Sequence, residues 1–448
     1  MTSPGYPNMA CLDGSQDRGD ASPSDYAWIV NFHNGNANDD NRDNHNRVRA
    51  VRGPAREFQG EQVSLRSLHS AWKRARRKKA PSANQLAFDA FWADNLLDLQ
   101  ESLAAGTWRP RPTTCFVATR PKAREIHAPD FGDRVVHHWL VPQLDAIYES
   151  TFIHDSFANR RGKGSHAAVR RLQSFVRQVH SGQGGGWFLQ MDVANFFNSI
   201  HRPTLYAILK RRMERAGLPW VARKAAHALL ARSPIDVGVN YRSTAAERAQ
   251  VPAHKRLANA PDGCGIPIGN LSSQFLANVY LDALDQFVKH ELRAPRYLRY
   301  VDDFVLVHRD REQLERWRVQ IERFLSDRLR LGVKDGTRLQ PLSAGIDFLG
   351  YVMRPTHATV RRRVVSHARE ALADWERRHV SRRGMRGTPA DFERIHATWA
   401  SYQGHFAHAS SHRLQASLHR RFPWLASAGR PRRFHHDLDG HQIRITRK

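Results

Sequence analysis

The sequence is poor in cysteine, in long apolar runs and in acidic residues. Its three cysteines, Cys11, Cys115 and Cys264, lie far apart and in no C-x-x-C arrangement. A disulfide-stabilised scaffold is therefore excluded, and reduced intracellular thiols are expected. No apolar run approaches the roughly 20 residues that a membrane helix needs, and the first residues lack the basic and apolar parts of a secretory signal. These absences predict a cytoplasmic protein that does not enter the membrane.

Basic residues are abundant by contrast. Lys and Arg total 70 against 43 Asp and Glu, which leaves a formal net charge of +27. This excess points to a polyanion, above all nucleic acid, as the partner. The 25 histidines are scattered without ligand spacing and predict no metal site.

Composition divides the 448 residues into five segments. Residues 1–55 are polar and rich in asparagine, which favours a disordered or irregular segment. Residues 56–107 are helical and basic, and their KRARRKK run is either a solvated charge run or a phosphate contact. Residues 108–355 mix strand and helix patterns, residues 356–428 are helical and basic, and residues 429–448 form a basic tail. The whole predicts an α+β fold.

Four patterns define the central segment. Residues 187–193 alternate strictly and predict a strand, whereas residues 296–307 form two β-prone runs around a polar centre and predict a hairpin. The proline-containing residues 108–128 predict a second hairpin. Residues 273–292 carry an apolar stripe at helical spacing.

Three carboxylates stand at the ends of these predicted strands. Asp192 closes the first strand, and Asp302 and Asp303 occupy the hairpin tip. If the sheet brings them together, their repulsion requires compensation by cations. Two Mg²⁺ ions, or Mn²⁺ in their place, would supply it and would support in-line phosphoryl transfer. Taken singly, each aspartate is more simply a helix cap or a turn residue.

The motifs around these acids resemble those of reverse transcriptases. YVDD at residues 300–303 resembles the Y-x-D-D box, and DVANFF at residues 192–197 resembles the first catalytic motif. FLGY at residues 348–351 is similar to the hairpin that grips the primer strand. RPKAREI at residues 120–126 and SFANRRGKGSHAA at residues 156–168 complete the likeness. It implies a right-hand polymerase fold, with fingers and an antiparallel palm sheet followed by a helical thumb.

The resemblance also implies roles for single residues. It makes Asp192, Asp302 and Asp303 the catalytic, metal-binding acids, with the backbone carbonyl of Val193 completing a site. The implied primer grip consists of Phe348, Leu349 and Gly350.

Further implied residues surround the incoming nucleotide. Lys122 and Arg124 would hold its triphosphate, although surface charge is their simpler role. Phe197 would lie under the sugar and exclude a 2′-hydroxyl, and a plain core aromatic is the alternative. The remaining pocket residues are Ile268, Gly269 and Gln274.

The segment GIPIGNLSSQ, residues 265–274, departs from most of the family. Ile268 stands where most members have glutamine, and Gln274 stands where most have proline. This pattern is similar to that of diversity-generating retroelement reverse transcriptases, which copy a template repeat with frequent errors opposite adenine. An apolar Ile268 removes a hydrogen-bonding side chain from the pocket, so base-pair geometry would be checked less strictly.

Two other segments bear on this interpretation. Gly336 stands where the family has a lysine before Thr337, so Lys334 or Arg338 would have to neutralise the departing pyrophosphate. Residues 26–52 resemble the carboxyl-terminal end of a variable protein that such retroelements rewrite. Residues 1–52 are therefore a template repeat read in frame or a remnant of a target gene, and a disordered polar leader is the alternative.

The sequence thus predicts an error-prone RNA-directed DNA polymerase. Its expected partners are an RNA template, a DNA or RNA primer, deoxynucleoside triphosphates and a small basic accessory variability protein. A group-II-intron-like or defence-associated reverse transcriptase is the alternative within the same chemistry. A catalytically silent RNA-binding scaffold is the alternative of another class.

Overall fold

The computed structural model describes residues 63–425 except 78–79, 120–121, 182–184 and 383. Beyond these limits it describes only the backbone of four short strands, Val30–Asn31, Asn36–Ala37, His435–His436 and Ile443–Ile445. Most of the segment predicted to be a template repeat or a leader, and most of the predicted basic tail, lie outside the described residues.

Helices make up most of the described chain. In chain order they are α1 Leu65–Arg76, α2 Ala83–Ala90, α3 Trp92–Ala104, α4 Phe131–Tyr148, α5 Ser165–His180, α6 Phe196–Ser199, α7 Arg202–Arg215, α8 Trp220–Ala231, α9 Pro234–Val237, α10 Ala245–Ala249, α11 Leu271–Gln286, α12 Arg311–Leu329, α13 Arg362–His379, α14 Pro389–Phe406 and α15 His412–Arg421. The strands are β1 Thr113–Ala118, β2 Arg124–Ala128, β3 Trp187–Asp192, β4 Val239–Tyr241, β5 Tyr297–Tyr300, β6 Asp303–His308, β7 Arg338–Pro341, β8 Ile346–Phe348, β9 Tyr351–Met353, β10 Ala358–Val360, β11 Val380–Ser381 and β12 Gly384–Gly387.

An antiparallel sheet in the order β5-β6-β3-β7 forms the centre of the molecule. Leu189 and Met191 on β3 pack into a large helical core, whereas Phe188, which directly precedes Leu189, packs into a second core on the opposite face. Both faces of the sheet are covered, and the alternation of side chains along β3 separates the two cores. The predicted strand over residues 187–193 is confirmed.

The other local predictions are confirmed with small differences. The hairpin over residues 108–128 is β1 paired with β2, and the hairpin over residues 296–307 is β5 paired with β6. The predicted helix over residues 273–292 is α11, continued by a π-helical turn at Phe287–Glu291. β4 pairs in parallel with β1, a long-range contact that local patterning does not indicate.

The apolar pattern over residues 88–99 is shared by two helices, α2 and α3. Phe91 separates α2 from α3 because its backbone, at φ −128° and ψ 41°, leaves the helical region. The mixed helix and sheet class expected from the sequence is confirmed. No helix among the described residues is both long and apolar enough to cross a bilayer.

The C-terminal helices α13 to α15 form a core of their own, which contains Leu372 and Trp399. The short strands β11 and β12 interrupt them, and Ile443–Ile445 of the basic tail pairs with β12. Tyr351 of β9 joins this unit to the rest of the chain. Its hydroxyl donates to the carbonyl of His405 at 2.9 Å, and the two rings stack at 4.2 Å.

Candidate active site

The strand register brings the three predicted carboxylates to one edge of the central sheet. Asp192 at the end of β3 lies directly opposite Asp303 at the start of β6. Asp302 and Val301 form the two-residue tip between β5 and β6. The backbone N–H of Val193 donates to the carbonyl of Asp302 at 3.3 Å, which ties the end of β3 to this tip.

The carboxylates lie in a partly water-excluded, mutually repulsive environment. Burial, and then the charge of Asp192, raises the pKa of Asp302. Burial raises the pKa of Asp303 to about 7, although a hydrogen bond from Gln190 opposes the shift. Ionising both groups therefore costs free energy that a nearby cation would offset.

Gln190 holds the Asp303 carboxylate by a hydrogen bond, and this residue was not among those predicted from the sequence. Its Nε2 donates to Asp303 Oδ1 at 3.1 Å and to the carbonyl of Asp347 at 3.0 Å. Gln190 precedes Asp192 by two positions on β3, so both side chains lie on one face of the sheet. That period of two was the signal that could have identified it.

The site has the right donor chemistry for a hard divalent cation. Carboxylate oxygens of Asp192, Asp302 and Asp303 and the backbone carbonyl of Val193 are oxygen ligands of the kind that Mg²⁺ prefers. Among the described residues, no group of three or more His, Cys, Asp or Glu side chains is arranged to hold a metal ion. The Asp192 carboxylate is paired instead with Lys334, whose Nζ lies 3.1 Å from Oδ2.

The loop after α12 brings Lys334 to this position. The backbone N–H of Ala194 donates to the carbonyl of Gly332 at 2.9 Å, and that of Lys334 donates to the carbonyl of Asp192 at 2.9 Å. Arg338, the other residue considered for the missing lysine, is paired in register with Gln190. Of the two, Lys334 is the one whose side chain contacts an acid of the site.

A cavity of about 790 Å³ opens beside this loop. Glu322, Ser326 and residues 330–337 line it. It leaves space next to Lys334 for a ligand larger than water.

Basic side chains surround the carboxylates. The pKa of Lys122 is lowered by burial and then by the positive charges of Lys255, Lys334 and other cations, including Arg124. Arg124 in turn favours the ionised form of Asp302. These cations therefore share one space beside the acids, which suits a phosphorylated ligand.

The segment containing Ile268 crosses β2 next to this basic group. The carbonyl of Ile268 accepts a hydrogen bond from the backbone N–H of His127 at 3.0 Å. The carbonyl of Phe197 accepts one from the backbone N–H of Ile266 at 2.9 Å. Phe197 is partly buried against the main core, and Gln274 is partly exposed in the first turn of α11.

Position 269 requires glycine, both because of its backbone conformation and because a neighbouring side chain lies close to it. Its φ is +116°, and an added Cβ would stand 2.7 Å from Ile126 Cγ2. The close approach of this glycine lets the Ile268 segment lie flat on β2.

The predicted primer grip is the turn between β8 and β9. Phe348 pairs with Tyr351, which leaves Leu349 and Gly350 as a two-residue tip with φ values of +50° and +87°. Phe348 is fully buried, so its ring is not available to a primer strand. Leu349 and Gly350 are partly exposed.

Comparison with known proteins identifies the family of this fold. The family profile described as "Reverse transcriptase (RNA-dependent DNA polymerase)" matches residues 118–353, more than half of the 448-residue chain. Protein YkfC of Escherichia coli (strain K12) is 24% identical over 306 residues, covering 60% of this chain and 73% of YkfC. Group II intron-encoded protein LtrA of Lactococcus lactis subsp. cremoris is 26% identical over 206 residues, covering 45% of this chain and 29% of LtrA.

The likeness to solved structures is weak. A telomerase from Candida albicans, in complex with a fragment of telomeric RNA, has a TM-score of 0.36 at 13% identity and covers 59% of this chain and 51% of its own. A telomerase from Candida tropicalis has a TM-score of 0.41 at 11% identity and covers 60% of each chain. The family assignment rests on the sequence match.

Proposed function

This chain belongs to the reverse transcriptase family of RNA-directed DNA polymerases, and from that premise we propose that Asp192, Asp302 and Asp303 are its catalytic carboxylates. The observation that carries the proposal is the cross-strand pairing of Asp192 with Asp303, with Asp302 at the adjoining tip. The cations beside these acids support a role for the site in binding a triphosphate.

The acids would hold two Mg²⁺ ions together with the carbonyl of Val193, and Mn²⁺ is the alternative. When bound, such ions activate the primer 3′-hydroxyl and stabilise the leaving oxygen. Gln190 keeps the Asp303 carboxylate oriented, and Lys334 supplies positive charge next to Asp192. We assign Lys334 to neutralising the departing pyrophosphate, in place of the lysine missing at Gly336.

We assign residues 108–355 to fingers and palm and residues 356–428 to the thumb, with residues 56–107 as a helical lead-in. The separate core of α13 to α15 supports the thumb assignment. The template–primer duplex would lie between thumb and palm, with the partly exposed tip at Leu349 and Gly350 against the primer. Because phosphate contacts dominate such binding, affinity should fall steeply with salt.

Primer extension tests this function. Purified wild type should extend a DNA primer on an RNA template in the presence of Mg²⁺, and Asp302→Ala should not. Asp327→Ala is the matched control, because Asp327 is a half-exposed residue of α12 that pairs with Arg323 on the same helix. Full retention of extension by Asp302→Ala would contradict the assignment. Absence of extension by wild type would favour the RNA-binding scaffold.

We further propose that Lys122 and Arg124 bind the triphosphate and that Phe197 excludes ribonucleotides. The Phe197→Ala variant should incorporate ribonucleotides, whereas Phe197→Tyr, which keeps the ring, should still reject them. Unchanged sugar selection by Phe197→Ala would leave Phe197 as a plain core aromatic.

Error-prone copying, as in a diversity-generating retroelement, is the finer proposal. It is supported by the apolar Ile268 in the segment 265–274, which also contains Gly269 and Gln274, and it includes a small basic accessory protein as partner. Sequencing the cDNA should show excess substitutions at template adenines. Ile268→Gln should reduce them, and Ile268→Leu, which stays apolar, should not. An unchanged error frequency in Ile268→Gln would count against this role.

Faithful copying by a group-II-intron-like enzyme is the second candidate. The match to a relative named Group II intron-encoded protein LtrA favours it. The same cDNA sequencing separates the two candidates, because an intron-type enzyme should show no excess of errors at template adenines.

A further inference from the structure

The guanidinium of Arg299 is completely buried on β5, next to the hairpin tip that contains Asp302 and is followed by Asp303. Its Nε and Nη2 donate to the Asp285 carboxylate at 2.8 and 2.6 Å. Nη2 also donates to Ser156 Oγ at 3.1 Å, and Nη1 donates to Asn278 Oδ1 at 3.2 Å. The last donor of Nη1 reaches the carbonyl of Val301 at 2.8 Å. All five guanidinium donors are therefore used.

The hydrogen bond to the Val301 carbonyl matters most for the site, because Val301 and Asp302 are the two residues of the hairpin tip. The φ of Val301 is +56°, a left-handed conformation that is costly for a β-branched residue. Such a backbone persists only where its surroundings hold it. The hydrogen bond from Arg299 to the Val301 carbonyl is one of the contacts that hold it, and Asp302 follows directly.

Stability alone does not explain a buried pair of this kind. Replacing a buried ion pair by apolar side chains is often neutral or stabilising. Asp285 is also completely buried and accepts a further hydrogen bond from the hydroxyl of Tyr297 at 2.7 Å. The carboxylate thus orients the guanidinium, and the guanidinium fixes a strained turn.

We propose that Arg299 is a positioning residue, which acts through the Val301 carbonyl to hold the tip in the conformation that presents Asp302 and Asp303. The inference rests on the proposed function of these two acids. The buried ion pair between Asp285 on α11 and Arg299 on β5 would then support nucleotidyl transfer without contacting the substrate.

The Arg299→Lys variant tests it. Lysine keeps a charge near Asp285, but its three donors leave from one atom and cannot reach Asp285, Ser156 and Val301 together. We expect kcat to fall about 100-fold, because a shift of about 1 Å in catalytic groups has an effect of that size. The KM for deoxynucleotides should change little. Affinity for Tb³⁺, followed by luminescence without nucleic acid, should fall as well.

Two variants separate positioning from general packing. Ser156→Ala removes one contact of the same guanidinium on the side away from the tip, and it should keep kcat near wild type. Adding Val301→Gly to Arg299→Lys should recover about tenfold in kcat, because glycine adopts positive φ without strain. Equal losses in Ser156→Ala and Arg299→Lys, or no recovery with glycine, would overturn the proposal.

If Arg299→Lys does not fold, a second variant still tests the proposal. Arg299→Met combined with Asp285→Leu leaves no unpaired buried charge, and circular dichroism checks its fold. It should show the same loss of kcat and of Tb³⁺ affinity, and retention of both would overturn the proposal. If wild type extends no primer, the proposed function fails, whereas Tb³⁺ affinity still decides whether Arg299 positions the acids.

Discussion

Replacing Gly269 by alanine tests how tightly the Ile268 segment must lie on β2. The new Cβ would meet Ile126 Cγ2 at 2.7 Å, and the backbone φ of +116° is unfavourable for any L side chain. Positive φ costs about 1–2 kcal/mol and the overpacked contact about 1–3 kcal/mol. Gly269→Ala should therefore lower the free energy of unfolding by about 2–5 kcal/mol.

Urea unfolding followed by circular dichroism measures this change. The matched control is Gly162→Ala, because Gly162 has a φ of +67° but no atom within 4 Å of the added Cβ. Gly162→Ala should lower the free energy of unfolding only by the cost of positive φ, about 1–2 kcal/mol. In an Ile126→Ala background, which removes Cγ2, the cost of Gly269→Ala should fall to that same level. Equal costs for Gly269→Ala and Gly162→Ala would show that the contact with Ile126 does not constrain this segment.

Three further predictions concern charge. Burial raises the pKa of Asp133 to about 7, so ionisation of this carboxyl lowers the free energy of unfolding as pH rises from about 4 to about 7. Asparagine cannot ionise, so Asp133→Asn should remove up to about 4 kcal/mol of this pH-dependent loss, which would appear as a flatter pH profile of urea unfolding. Lys334→Ala should slow single-turnover extension about tenfold or more. Because the ion pair of Lys334 with Asp192 is half-exposed, the melting temperature should change little. A lowered melting temperature with unchanged extension would contradict a catalytic role for Lys334. Arg124→Ala should raise the KM for deoxynucleotides about tenfold with a smaller change in kcat, and an unchanged KM would remove Arg124 from the triphosphate site.

Local patterns were sufficient to predict much of the fold around the site. The alternation along β3 and the two β-prone runs of β5 and β6 predicted the strands that carry the acids. They could not predict the register, because pairing partners are chosen by packing on both faces of the sheet. The observed register pairs Asp192 with Asp303.

Contacts between distant segments were beyond sequence reasoning. Lys334 and Arg338 were equal candidates in the sequence, and the course of the loop after α12 brings only Lys334 to Asp192. Phe348 was expected at the primer, but it is fully buried in the second core. Gln190 and Arg299 are ordinary polar residues in the sequence, and their carboxylate partners, Asp303 on β6 and Asp285 on α11, lie on other elements.

The residues that could perform the chemistry were identifiable in the sequence, because strand period, turn residues and motif spacing are local properties of the chain. How those residues are held is a property of the folded molecule: the cations around the acids, the close approach of Gly269 to Ile126 and the guanidinium that contacts the hairpin tip. These arrangements depend on packing between segments far apart in the chain, where each contact forms only after the surrounding elements are in place.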